Sequence, residues 1–210
     1  MKTLLLAALL APVFLLPAQG QWQLIQQHPT AFYGVWGTDA QHLWLSGNNG
    51  EFFHSTDGGV QVQMSKIPDS YSFLNDIAVW NDSLVLIGGG CYFPFDLCPG
   101  NIVLKTGGNG ANWQLEKLDT LPYAIGVIQQ FDLHPDGQLY GLSDYGGIYH
   151  SSDLSENWTA LPPLPPLSID VYSSVQFIDD QVGYVMGSKY NQLNGQRFRL
   201  FKTVNGGLEW

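Results

Sequence analysis

Beyond the first twenty residues, the hydrophobic positions fall in short runs rich in Val, Ile, Tyr, Phe and Trp, bounded by Gly, Asn, Asp or Pro. Such runs are strands joined by tight turns. They sort into successive sets. First strands are predicted at Phe32–Trp36, Leu74–Trp80, Ile128–Leu133 and Ser174–Ile178. Second strands follow at Leu43–Ser46, Leu84–Gly88, Gln138–Leu142 and Val182–Gly187. Third strands fall at Glu51–His54, Asn101–Lys105, Gly147–His150 and Arg197–Lys202, and fourth strands at Gln61–Met64, Trp113–Leu118 and Trp158–Leu161. No helix is expected after residue 20.

Each third strand runs into one recurring phrase. It reads Ser-Thr-Asp-Gly-Gly-Val-Gln-Val from Ser55, Thr-Gly-Gly-Asn-Gly-Ala-Asn-Trp from Thr106, Ser-Ser-Asp-Leu-Ser-Glu-Asn-Trp from Ser151 and Thr-Val-Asn-Gly-Gly-Leu-Glu-Trp from Thr203. The leading hydroxyl residues are 51, 45 and 52 positions apart. A β-rich period of about 50 residues marks a propeller, here all-β with four-stranded antiparallel blades. The phrase suits a closed turn. Its hydroxyl (Ser55, Thr106, Ser151, Thr203) and its acid or amide (Asp57, Asp153, Asn205) bond to backbone N–H groups. Gly59, Gly110 and Gly207 accept positive φ, and Trp113, Trp158 and Trp210 offer a large face to pack over the hairpin.

The phrase resembles the Asp-box, or bacterial neuraminidase repeat, of form Ser/Thr-x-Asp-x-Gly-x-x-Trp. It is similar to repeats of sialidases, sortilin-type receptors, glycan-degrading propellers and photosystem II assembly factor-like propellers. The resemblance implies that the box sits on the turn between third and fourth strands, at the blade periphery and away from any active site. The copies here depart from the pattern: Gly108 and Asn205 replace the acid, Ser155 the glycine and Val62 the Trp.

The ends refine the picture. Lys2, the apolar stretch Leu4–Leu16 and the small residues Ala18 and Gly20 read as a signal peptide over 1–20, leaving 21–210 as one propeller domain. Export would place the protein outside the cell, in the periplasm or at the surface. No later apolar stretch is long enough for a transmembrane helix. Trp22-Gln23-Leu24 echoes Trp113-Gln114-Leu115 and is a candidate closing strand. About four blades are expected, as part of a larger ring, with a compact four-blade ring closed by Trp22–Gln27 as the alternative.

Without Lys2 the chain carries 7 basic and 18 acidic residues, which disfavours nucleic acid as a partner. Cys91 and Cys98 are expected to form a disulfide in an exported protein. No cofactor or metal site is expected: His28, His42 and His134 lack partners at ligand spacing. His54 and His150 occupy the repeat position of Lys105 and Lys202, read as an exposed blade edge.

Loops joining second to third strands, and blade to blade, gather on one propeller face. The candidate ligand-binding residues there are Tyr92, Phe93, Asp96, Asp144, Tyr145, Asp170, Tyr172 and Tyr190. Aromatic platforms with carboxylates suit a protein or glycan partner, and the same aromatics serve equally well to pack the loops. Asp96, Asp144 and Asp170 keep a glycosidase open as the alternative, with further catalytic residues beyond residue 210. A sialidase needs an arginine triad, and Arg197 and Arg199 are the chain's two arginines. No nucleophile elbow is present. The leading expectation is an exported, non-catalytic binding module.

Overall fold

The computed structural model describes residues 24–25, 27–67, 73–81, 83–90, 101–107, 112–118, 126–164, 170–191 and 195–210. The strands form four antiparallel sheets in chain order. The first holds β1 (Phe32–Gly37), β2 (Leu43–Gly47), β3 (Glu51–Ser55) and β4 (Gln63–Lys66). The second holds β5 (Phe73–Trp80), β6 (Leu84–Gly90), β7 (Ile102–Gly107) and β8 (Trp113–Lys117). The third holds β9 (Ile128–Leu133), β10 (Leu139–Ser143), β11 (Ile148–Ser151) and β12 (Thr159–Ala160), and the last β13 (Asp170–Phe177), β14 (Gly183–Asn191) and β15 (Gly195–Thr203). These are propeller blades: the first strands β1, β5, β9 and β13 lie innermost, each against the next.

Three apolar layers separate the blades. Trp44, Phe52 and Ile67 meet Ile77, Val79, Ile87 and Leu104 between the first two sheets. Ala78, Leu86, Val103 and Leu118 meet Ile128, Phe131, Tyr149 and Trp158 in the second layer. Tyr140, Leu142 and Ile148 meet Tyr172, Val175, Phe177 and Val185 in the third. A sheet covered on both sides needs apolar residues at every position, so Leu84–Ile87 reads as an unbroken run. The last sheet instead alternates. Val175 and Val185 are buried, while Val171, Met186, Phe198 and Leu200 on its other face are exposed.

Every first strand carries a β-bulge at the same place, at Tyr33, Asn75, Gln129 and Ser173. The residue after the bulge stitches blade to blade. Phe131 N donates to Asp76 Oδ2 (2.7 Å), and Val175 N donates to Gln130 Oε1 (2.8 Å). Asn75 Nδ2 donates to Ile128 O (2.9 Å) and Phe177 N to Asp132 Oδ2 (2.5 Å). In the first blade the equivalent residue is Gly34. A Cβ there would come within 2.8 Å of Asp76 Cα, so the missing side chain lets β1 approach β5.

Several expectations shift. Two fourth strands start later than predicted, at Gln63 and Thr159, while β8 starts at Trp113 as predicted. Leu24 and Ile25 are not in a strand, and Ile25 lies near Gly59 of the first blade; Trp22 and Gln23 fall outside the described residues. So do Cys91, Cys98, Gly110 and the proposed signal peptide.

Candidate functional site

The recurring phrase builds one turn three times over. Ser55 Oγ donates to Asp57 Oδ1 (2.8 Å), Gly59 N to Ser55 Oγ (2.9 Å), and Gln61 N to Asp57 Oδ1 (2.9 Å). The same bonds recur as Ser151 Oγ to Asp153 (2.8 Å), Ser155 N to Ser151 (2.9 Å) and Asn157 N to Asp153 (2.8 Å). They recur again as Thr203 Oγ1 to Asn205 Oδ1 (2.9 Å), Gly207 N to Thr203 (2.9 Å) and Glu209 N to Asn205 (3.0 Å). Asn205 serves as well as an acid because the carboxylate works here only through acceptor oxygens. The hydroxyls of Ser55, Thr106, Ser151 and Thr203 are buried. Hydrogen bonds from Asn157 and Ser151 hold the Asp153 carboxyl at about 2, below the usual carboxylate range. In the first, third and last copies the hydroxyl and the acid or amide are engaged in the turn.

The Trp of the phrase does not lie simply over its own hairpin. Trp113 meets Phe52 of the preceding blade edge-on at 5.3 Å, and Trp158 packs in the layer between the second and third blades. Trp158 Nε1 donates to Ser155 Oγ (3.1 Å), and that hydroxyl donates to Glu116 Oε2 on β8 (3.2 Å). Leu154 and Ser155 hold φ of 55° and 72°, where the first and last copies place Gly58–Gly59 and Gly206–Gly207. The serine that replaces glycine thus ties two blades together.

His54 and His150 are not at an exposed edge. His54 stacks on its cross-strand partner Trp44 (3.6 Å between ring centroids) and His150 on Tyr140 (4.5 Å). Lys202 Nζ likewise lies 5.7 Å over the Tyr184 ring. In three of the four blades the position covers an aromatic on the second strand; in the second blade Lys105 faces Leu86 and reaches Ser155 O and Glu156 instead.

Of the candidate ligand-face residues, Asp144, Tyr145 and Tyr172 come together at the β10–β11 turn. Asp144 is buried, and its Oδ1 accepts from Val127 N (2.9 Å). Tyr172 is also buried, filling the space beside Gly146 and Gly187. Both do packing work, whereas Tyr145 is 62% exposed. Asp170 and Tyr190 lie at the same end of the last sheet, Asp170 paired with Lys189 and Tyr190 with Gln196. Tyr92, Phe93 and Asp96 fall outside the described residues.

The opposite end of the blades holds a cavity that sequence reasoning missed. It has a volume of about 370 Å³ and opens where the β1–β2, β5–β6 and β9–β10 turns converge. Trp36, Trp80, Val79, Leu133 and Pro135 supply apolar wall, and Thr38, Asn81 and His134 supply polar groups. His134 Nε2 stands 3.1 Å from Asp132 Oδ2, which fixes the ring. Trp36 and Trp80 were legible as strand residues; their convergence depends on blade packing. Among the described residues no group of three metal-ligating side chains occurs.

Fold and turns together define an all-β propeller. No protein-family model matches the chain, and no curated protein does. Among solved structures it is similar to YCF48 bound to D1 peptide, at 16% identity and a TM-score of 0.53, covering 88% of this chain and 83% of that one. It is also similar to YCF48 from Cyanidioschyzon merolae, at 15% identity and 0.54, covering 82% of this chain and 57% of that one. A third likeness is to the GH74 enzyme of Niastella koreensis, at 17% identity and 0.56, covering 82% of this chain and 28% of that one. The likeness to photosystem II assembly factor-like propellers expected from the phrase is thus met in the fold.

Proposed function

We propose that the chain is an exported, non-catalytic propeller module that recognises a protein or glycan partner. The cavity walled by Trp36, Trp80, Leu133 and Pro135 carries this reading, because it brings two indoles and the polar groups of Thr38, Asn81 and His134 to one opening. Asp144 is buried and accepts from Val127 N, so the enzymatic alternative would draw on Asp96 and Asp170. The YCF48 neighbour carries a peptide, and the GH74 neighbour is an enzyme; both are consistent with a propeller as a recognition platform.

The test is capture. Purified protein, immobilised, is exposed to a glycan array and to envelope extract of the producing cell. Saturable retention of one glycan class or one protein is expected, without new reducing ends. Steady release of reducing sugar would replace this reading with the enzyme. Export is checked by sequencing the N-terminus of protein from the medium or periplasm, expected near Gln21.

A further inference from the structure

We infer that the cavity at the β1–β2, β5–β6 and β9–β10 turns is a binding site for an uncharged saccharide; this rests on the binding reading above and names its ligand. Three blades contribute. Trp36 is the penultimate residue of β1, Trp80 ends β5, and His134 with Pro135 follows β9. Their convergence follows from the side-by-side packing of the innermost strands, so Trp36, Val79, Trp80 and Leu133 stand on strands, while Thr38, Asn81, His134 and Pro135 stand on the turns that continue them.

The chemistry of the walls selects the ligand. Trp36 and Trp80 are half-buried, so each indole is anchored in the blade and still reaches the opening. Indole faces are electron-rich and attract the C–H face of a pyranose ring. The polar groups are a hydroxyl (Thr38), an amide (Asn81) and an imidazole (His134), which donate to and accept from sugar hydroxyls. In its neutral form His134 donates from Nε2 to Asp132 and turns Nδ1, an acceptor, to other partners. Among the described lining residues none is a carboxylate, lysine or arginine. Of the described charges nearby, Asp132 is engaged by His134 Nε2 and Phe177 N, so the described walls hold out polar rather than charged groups, and seating a neutral polyol there costs less than burying a charge. The volume of about 370 Å³ lies near the lower end of the ~300–1,000 Å³ typical of ligand sites. That suits the terminal units of a chain better than a long stretch of one.

Asn81 is well placed to test the site. It holds φ of 49°, so Asn81→Gly removes the amide while keeping a backbone that glycine adopts freely. Trp80→Ala removes one platform; Trp36 packs against two cores and is left intact. The full chain is titrated with cellohexaose, maltohexaose, mannohexaose and xylohexaose, with oligogalacturonate, and with a proline decapeptide. Tryptophan fluorescence and calorimetry report binding.

At least one neutral oligosaccharide should bind and perturb the fluorescence. Its Kd should rise tenfold or more in Trp80→Ala and several-fold in Asn81→Gly, with a cooperative melt retained in both. Binding of the galacturonate or the decapeptide alone would overturn the inference. So would neutral-saccharide binding unchanged in both variants, though the binding reading itself would then stand. Failure of every probe also overturns it, and the envelope capture then decides the broader reading separately.

Discussion

Asp76 of β5 accepts a hydrogen bond from the backbone N–H of Phe131 on β9, 2.7 Å away and across a blade boundary. Gln130 does the same for Val175 one blade on, at 2.8 Å. One of the two equivalent stitches is therefore an acid and the other an amide. The difference is electrostatic. Burial pushes the Asp76 carboxyl up to about 6 against the pull of its N–H donors, while a glutamine does not titrate.

That shift has a sign. The folded protein holds the Asp76 proton between about 3.8 and 6, where the unfolded chain has released it. The favourable contribution is present below the unfolded value and is lost as pH rises through 6, amounting to ~3 kcal/mol at 1.36 kcal/mol per pKa unit. Asp76→Asn should remove this dependence while keeping an acceptor for Phe131. Chemical denaturation of both proteins from pH 4 to pH 7 measures it: the stability of the variant relative to the parent should grow with pH. Parallel curves would refute the assignment.

Gly34 is the first blade's counterpart of Asp76, and it stitches by having no side chain. Gly34→Ala would set a Cβ 2.8 Å from Asp76 Cα and 2.9 Å from Ile77 N, both backbone atoms that cannot swing aside. Forcing β1 away from β5 should cost at least ~1–3 kcal/mol, the usual scale of overpacking. The melting temperature should fall, and protease cleavage should appear first within residues 32–66. A variant that melts with the parent would mean the first two blades are not held at this point.

The strands were legible where packing leaves no freedom. Leu84–Ile87 lies in a sheet covered on both faces, and its sequence records that directly. The fourth strands of the first and third blades start late because the preceding turn claims their first donors. Gln61 N and Asn157 N are bonded to Asp57 and Asp153, so the ladders begin only at Gln63 and Thr159. The site was harder. Tyr172 and Asp144 carry the residue types of a ligand face, yet nothing local announces that Gly146 and Val127 bury them. Trp36, Trp80 and His134 line one cavity because three first strands pack side by side, a relation that spans about 100 residues of chain.

Ser155 should be more costly to lose as alanine than as glycine. Ser155→Ala keeps a Cβ at φ of 72° and leaves both Glu116 and the Trp158 indole N–H without the hydroxyl. Losing a hydrogen bond of this kind costs ~1 kcal/mol, since Glu116 is only half-buried and keeps the Trp158 indole and Lys105 as partners. Ser155→Gly loses the same bonds but relieves the left-handed backbone, worth ~1 kcal/mol. Burial already raises the Glu116 carboxyl, and without the Ser155 donor it should rise further. Thermal melts rank the three proteins, and equal stability of the two variants would discount the backbone term.

The turn and the cavity should separate cleanly under mutation. Trp158 is 9% exposed and packs among Phe131, Leu139 and Tyr149, so Trp158→Ala should cost ~3–5 kcal/mol by leaving a large void. Asp153→Ala should destabilise less, since its carboxylate faces solvent and serves the turn by accepting from Ser151 and Asn157. Because hydrogen bonds hold Asp153 at about 2, its contribution is present above the unfolded carboxylate value and fades as pH falls through 2. The stability gap between parent and Asp153→Ala should therefore narrow below about pH 4. Neither residue lines the cavity, so both variants, while folded, should keep the parent's affinity for whatever partner the capture identifies. An unchanged melting temperature with lost binding would turn the recurring phrase from scaffold into site.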